Sequence, residues 1–250
     1  PAARPDLIAK LPSRGAELLF LDCEDAVPAN AKAEARAVAR SAVPELVGAG
    51  CRVVVRGNAV TTEWCADDIA TGVAPEATAI VVPKVETIAG IDLVARHLDA
   101  AGLGHLGIVA GFETALGVAD ARLLLGHPRV AAAYFGAEDY VADMGGVRSE
   151  SNHEVHMARS WAVLAARRNG VPIVDQVVTD FRNDDAYRLE AIEARNMGYG
   201  GKLCIHPAQV AIANHAFQPS EEELDRARRL LEAYENASAA GVAAIDFEGQ

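Results

Sequence analysis

The sequence predicts an α/β fold with a parallel sheet, on three observations. Seven short apolar runs recur along the 250 residues, segments of helical spacing separate them, and every run ends in ionisable residues. Strands that alternate with helices form βαβ units, which pair in parallel. Periodicity alone leaves two architectures open, a doubly wound sheet and a (β/α)8 TIM-type barrel.

The chain opens on "PAARP", a loop leading into the helical segment "DLIAKLPSRG" with no strand before it. The strand candidates then follow as "ELLFLDCED" (17–25), "RVVVRGN" (52–58), "AIVVPKVE" (79–86), "LGIVAGFET" (106–114), "AAAYFGAED" (131–139), "PIVDQVVTD" (172–180) and "GKLCIHPAQ" (201–209). Helical segments between them include 30–43, 88–101 and 185–198. An eight-stranded barrel needs one more strand, and its natural place is upstream of Pro1, so the sequence is expected to begin inside the domain. In "SEEELDRARRLLEAYENA", Ser220 with Glu223 three residues on forms a capping box. The closing "GVAAIDFEGQ" reads as a short strand or extended arm. The expected organisation is a barrel domain over 1–236 and the start of a truncated C-terminal arm or lid over 237–250.

A net charge of −12 argues against a nucleic-acid backbone or an anionic membrane surface as partner. A small anionic substrate stays open, given locally placed cations or a metal. No apolar run approaches the roughly 20 residues of a membrane helix, and the opening has no signal-peptide core. Cys23, Cys51, Cys65 and Cys204 are scattered and form no C-x-x-C pair, which reads as free, mostly buried thiols in a cytoplasmic protein.

Catalytic groups of parallel α/β folds gather at the C-terminal ends of the strands. The runs deliver Asp22, Glu24 and Asp25; Arg56 and Asn58; Lys84 and Glu86; Glu113; Glu138 and Asp139; Asp175 and Asp180; and His206. Loop starts are polar in any fold, which accounts for many of these. Glu113 and Asp139 are harder to explain that way, because they follow apolar runs on strands that would be neighbours. Two carboxylates converging in an apolar pocket repel unless a proton or a cation is shared, and Mg²⁺ is commonly held by one or two carboxylates plus substrate oxygens. Arg56 ends an apolar strand and needs an anion: either a structural partner, Asp25 or Glu86, or a substrate carboxylate.

Other motifs are weaker. "GLGHLG" (102–107) follows a helix and leads into a strand, the reverse of a dinucleotide fingerprint. "HEVH" (153–156) reads as surface histidines near a helix start, Cys204 and His206 share a strand face with no third partner, and Trp64 and Trp161 are expected to pack helices onto the sheet. No G-x-S-x-G elbow occurs.

The blocks "LDCEDAVPANAKAEAR", "VVPKVET", "GFETALGV", "GAEDYVADMGG" and "GKLCIHPAQV" resemble, in unbroken order, the signature blocks of the HpcH/HpaI aldolase–citrate lyase beta-subunit-like family, which includes malyl-CoA and citramalyl-CoA lyases. The resemblance implies a (β/α)8 barrel that binds Mg²⁺ and assembles as homotrimers or hexamers. It implies Glu113 and Asp139 as metal ligands, with Glu138 supporting Asp139, and Asp25 holding a water on the metal. Arg56 would grip the carboxylate of a 2-oxo acid, and Arg4 would help bind the anionic substrate or CoA. It also implies an acid/base aspartate beyond Gln250; Asp246 does not match that position. The activity implied is reversible cleavage of a 3-hydroxyacyl-CoA thioester of the malyl-CoA or citramalyl-CoA type into a 2-oxo acid and acetyl-CoA. Its rivals are malyl-CoA thioester hydrolysis, a citrate lyase subunit working on a carrier-bound acyl group, and a catalytically silent ligand-binding relative.

Overall fold

The computed structural model describes residues 1–239 and 241–249. Seven strands form one sheet: β1 (Leu19–Asp22), β2 (Val53–Arg56), β3 (Ala79–Val82), β4 (Gly107–Phe112), β5 (Val130–Phe135), β6 (Ile173–Asp175) and β7 (Gly201–Lys202). They pair in sequence order, all parallel. Sequential order has no reversal point, which removes the doubly wound alternative. Among the described residues β7 pairs with β6 only, and ring closure by an eighth strand is not seen.

Same-handed crossovers place every helix on one face of such a sheet. Leu21, Val55, Ile80, Ile108 and Phe112 face that way and join the helices in the main core. Val54, Val81, Val109 and Tyr134 point to the opposite face and form a second cluster with Phe20 and Val174. That face carries no helix, yet Val54 and Val81 are fully buried, so the sheet curls until its own strands cover it.

The helices follow their sequence signals. Ile88–Ala100 starts where the Thr87 hydroxyl accepts the Gly90 N–H at 3.0 Å, and Asp184–Met197 stops at Gly198, whose φ of 101° is the left-handed stop a glycine supplies. The capping box forms: the Ser220 N–H reaches Glu223 at 2.8 Å, and the Glu223 N–H returns to the Ser220 hydroxyl at 3.1 Å. The helix it opens, Glu221–Ala239, runs through residue 236. Of the expected arm, Ala240 and Gln250 lie outside the described residues. Residues 241–249 form no strand; Phe247 lies under Arg226 and Arg229, and Glu248 pairs with both.

Several local expectations change. β6 and β7 are only 3 and 2 residues long, and the rest of each run lies outside the ladder. His206 is therefore no strand-tip ligand: its ring caps the helix Pro207–Phe217. Trp161 is 38% exposed rather than packed onto the sheet, and Trp64 lies beside the Lys32 ammonium. The glycines of 102–107 form a turn into β4, His153 and His156 are exposed, and all four cysteines are free, Cys204 exposed.

Candidate active site at the C-terminal end of the sheet

Side chains alternate along a strand, so the helix-free face can be followed past each strand end. From Phe20 it reaches Asp22 and then Glu24, and from Val54 it reaches Arg56. From Val109 it passes Gly111 to Glu113, and from Tyr134 it reaches Gly136. Asp22 and Arg56 occupy paired positions on β1 and β2, which explains their contact. Arg56 Nε and Nη2 donate to the two Asp22 oxygens at 2.8 and 2.9 Å, and Nη1 lies 2.9 Å from Glu24 Oε2. The partners are thus Asp22 and Glu24, not Asp25 or Glu86, because residues on one face of neighbouring strands meet across the ladder. Burial raises the Asp22 carboxyl, and the two Arg56 hydrogen bonds more than reverse this, leaving it below the ordinary carboxylate range.

Lys84 joins the remaining acids. Its ammonium lies 2.9 Å from Glu24 Oε1 and 3.1 Å from Asp139 Oδ2. Its main-chain N–H donates to Glu113 Oε2 at 3.1 Å. Glu113 and Asp139 therefore converge on one residue. Asp139 reaches it from the first turn of the helix Ala137–Asp143, which begins directly after β5.

Glu113 is 3% exposed and has no ion pair among the described residues. Burial drives its carboxyl up to about 7, against the pull of the Tyr134 hydroxyl and the more distant Lys84 and Arg56 charges. Two glycines make room here: a Cβ on Gly136 would lie 2.5 Å from Glu113 Cγ, and one on Gly111 would lie 2.5 Å from the Tyr134 oxygen. Gly136→Ala is accordingly expected to displace Glu113 while the chain still folds. Misplacing a reacting group by about 1 Å costs on the order of 100-fold in turnover, and kcat of the variant checks it.

The other predicted residues lie around this centre. Asp25 is exposed and lines a cleft of about 420 Å³ with Glu24, Lys32, Asn58, Trp64 and Lys84. Arg4 is exposed and pairs with Asp6 in the opening loop, which is tied to the end of β1 by the Ala2 N–H donating to the Asp22 carbonyl at 2.7 Å. Glu138 pairs with Arg148 at 2.9 Å and does not join Lys84 or Asp139. Sequence reasoning passed over Tyr134 and gave Lys84 no role. Tyr134 faces the site because the register pairs it with Gly111, on the face of Val109 and Glu113, and the sequence does not record that register. Lys84 stood among the strand-end residues, but its role depends on a backbone φ of 51° that no spacing rule encodes.

The donor set suits a hard divalent cation. Three carboxylates, of Asp22, Glu24 and Asp139, pair with two cationic side chains, of Arg56 and Lys84, and Glu113 lies against the Lys84 backbone; with all four acids ionised, two negative charges are left unmatched. Among the described residues no group of three His, Cys, Asp or Glu side chains is placed to hold a metal by itself. Glu113 and Asp139 offer the oxygen donors of the sparser sites that Mg²⁺ uses, which water or substrate oxygens complete.

The model of the HpcH/HpaI aldolase/citrate lyase family matches residues 1–207. The chain is 46% identical over 254 residues to a citrate lyase subunit beta-like protein of Deinococcus radiodurans, covering 100% of this chain and 89% of the relative. It is 34% identical over 249 residues to a (3S)-malyl-CoA thioesterase of Cereibacter sphaeroides, covering 98% and 85%. Among solved structures, CitE of Mycobacterium tuberculosis in complex with magnesium, acetoacetate and coenzyme A superposes with a TM-score of 0.85 at 31% identity, covering 100% of this chain and 89% of that one.

Proposed function

This chain belongs to the HpcH/HpaI aldolase/citrate lyase family, and on that premise we propose that it cleaves or forms a 3-hydroxyacyl-CoA thioester of the malyl-CoA or citramalyl-CoA type. The products are a 2-oxo acid and acetyl-CoA. The cofactor is Mg²⁺, and we assign Glu113 and Asp139 as the residues that hold it. The observation that carries this reading is Glu113: a buried carboxylate with no ion pair among the described residues, facing a centre two positive charges short.

When bound, Mg²⁺ supplies Lewis-acid polarisation of the substrate's hydroxyl and carboxylate oxygens. Arg56, held flat by Asp22 and Glu24, keeps further N–H groups for the substrate carboxylate and sets its orientation. Asp25, at the rim of the cleft, orients water at the site, and Arg4 in the loop on β1 binds the anionic substrate or CoA. The bond between the hydroxyl-bearing carbon and the thioester α-carbon breaks. A general base takes the hydroxyl proton as that oxygen becomes the carbonyl of the 2-oxo acid, the bonding pair passes to the thioester α-carbon as an enolate, and the conjugate acid returns a proton to that carbon to give acetyl-CoA.

The second reading, thioester hydrolysis at the same centre, is favoured by the 34% identical malyl-CoA thioesterase. Incubation of purified protein with malyl-CoA separates the two. Glyoxylate with acetyl-CoA, abolished by EDTA, is the expected result; malate with free CoA would replace the lyase by the thioesterase. Turnover of free CoA thioesters also excludes a subunit confined to carrier-bound acyl groups. We further propose a cytoplasmic homo-oligomer, a trimer or hexamer, of closed (β/α)8 barrels. The exposed row Met157, Trp161 and Leu164 on one side of the helix His153–Asn169 supports self-association. No helix among the described residues is long and apolar enough to cross a membrane.

The Glu113 carboxyl sets a pH dependence. It binds Mg²⁺ only when ionised, and its pKa without metal is about 7. Below that value a proton competes with the ion, so Mg²⁺ affinity should fall roughly tenfold per pH unit. The raised pKa also means that the metal-free fold holds this proton more tightly than the unfolded chain. That stabilisation is full below the unfolded value of about 4.3 and is lost as pH rises through about 7. Added Mg²⁺ should therefore raise Tm more at about pH 8 than at about pH 5.5. Calorimetric titrations across that range check it; a flat affinity would contradict the assignment.

A further inference from the structure

Lys84 adopts a φ of 51°, a left-handed conformation that is uncommon for a residue with a side chain. The surroundings hold it there from both sides. Its own N–H is taken by Glu113 at 3.1 Å, and the next N–H, of Val85, donates to the Gly111 carbonyl at 3.0 Å. The Val85 carbonyl in turn fills the space beside Gly117, 2.3 Å from where a Cβ would be. Strain of this kind persists only where neighbouring structure over-determines it, and it concentrates at functional sites. Here it aims a lysine that is 30% exposed into the gap between Glu24 and Asp139, with the buried Glu113 carboxylate against its backbone.

We propose that the Lys84 ammonium is a built-in stand-in for the divalent ion: it occupies Asp139 while the site is metal-free, and Mg²⁺ binds by exchange, taking Asp139 from it. This rests on the assignment of Glu113 and Asp139 as the magnesium ligands. The charges favour an exchange over a simple addition. Asp139 is 39% exposed and its only ion pair among the described residues is with Lys84, so an ion that takes this carboxylate takes it from the ammonium. Lys84 is not stranded by the loss, because Glu24 stays within 2.9 Å and accepts it alone. Glu24 in turn is balanced by Arg56. The main-chain bond to Glu113 does not involve the ammonium and survives the exchange, so one ligand stays fixed while the other changes partner. The consequence is a site whose carboxylates are already converged before the ion arrives, at the cost of part of its intrinsic affinity.

Isothermal titration of Mg²⁺ into metal-free protein tests this without any turnover. Lys84→Met keeps the aliphatic stem and the backbone geometry but removes the competing charge. A partly exposed ion pair contributes up to about 1 kcal/mol, so Mg²⁺ should bind roughly fivefold more tightly to this variant. Lys84→Gln carries the same expectation and guards against a folding failure of the first, while Lys84→Arg keeps the competitor and should bind as the natural chain does. Lys10→Met, which removes a charge from the exposed opening loop, measures the effect of net charge alone. Tightening in the Met and Gln variants beyond that control supports the exchange. Binding in the natural chain with no such tightening, or with weakening, overturns the exchange alone. Absence of Mg²⁺ binding in the natural chain overturns both the exchange and the metal assignment beneath it.

Discussion

Glu113→Gln is expected to lose Mg²⁺-dependent turnover by about 10³-fold and to keep its melting temperature. The substitution preserves the shape that fits against Gly136 and leaves an oxygen to accept the Lys84 N–H, so the fold has no cavity to fill. The variant removes a charge that the fold accommodates with no direct counterion, which makes it neutral or mildly stabilising. Removing one electrostatic contact made to the developing charge of a transition state costs on the order of 10²–10³ in kcat, and here the loss of a metal ligand adds to it. Asp139→Asn should behave alike. Near-normal kcat in either variant, measured with saturating Mg²⁺, would rule out the proposed centre.

Asp175→Asn is expected to be strongly destabilising, with little direct bearing on the chemistry. Asp175 is fully buried at the end of β6, and its oxygens receive Arg159 Nε at 3.0 Å, Arg159 Nη2 at 2.9 Å and Lys202 Nζ at 2.7 Å. Both cationic side chains are also fully buried. Arg159 has a second partner in Glu193 and Lys202 one in Glu190, but those acids are partly exposed. Neutralising the shared carboxylate leaves two buried cations short of charge, which typically costs about 3–5 kcal/mol. In a chain of this size that corresponds to a fall in Tm of roughly 6–20 °C, read by thermal denaturation. A change of only a degree or two would mean that the cluster is wetter than its burial indicates.

This buried cluster also marks the limit of what the sequence disclosed. Asp175 was visible as a strand-tip acid, but Arg159, in the middle of the helix His153–Asn169, looked like any surface arginine. Only the packing of that helix on β6 makes it one of the largest fully buried side chains among the described residues. Arg56 is the converse case. The sequence correctly demanded an anion for it, and the error lay in the partner. The expected structural partners were Asp25 and Glu86, whereas the ladder register puts Asp22 directly opposite. For Glu113 and Asp139 the apolar runs before them singled out two carboxylates, and the structure brings both to Lys84.

The sequence by itself determined the class of fold, the number of strands present, the helix caps and the acids carried to the strand ends. These are local matters, decided by periodicities of 2 and 3.6 residues and by capping chemistry within a few positions. Only the tertiary structure decided which charges meet. The curl of the sheet brings β1 to β5 around one centre, and the left-handed turn at Lys84 sends an ammonium into it. Ion pairs act over a few ångströms between residues as far apart in the chain as Glu24, Lys84 and Asp139, and no local pattern records that distance.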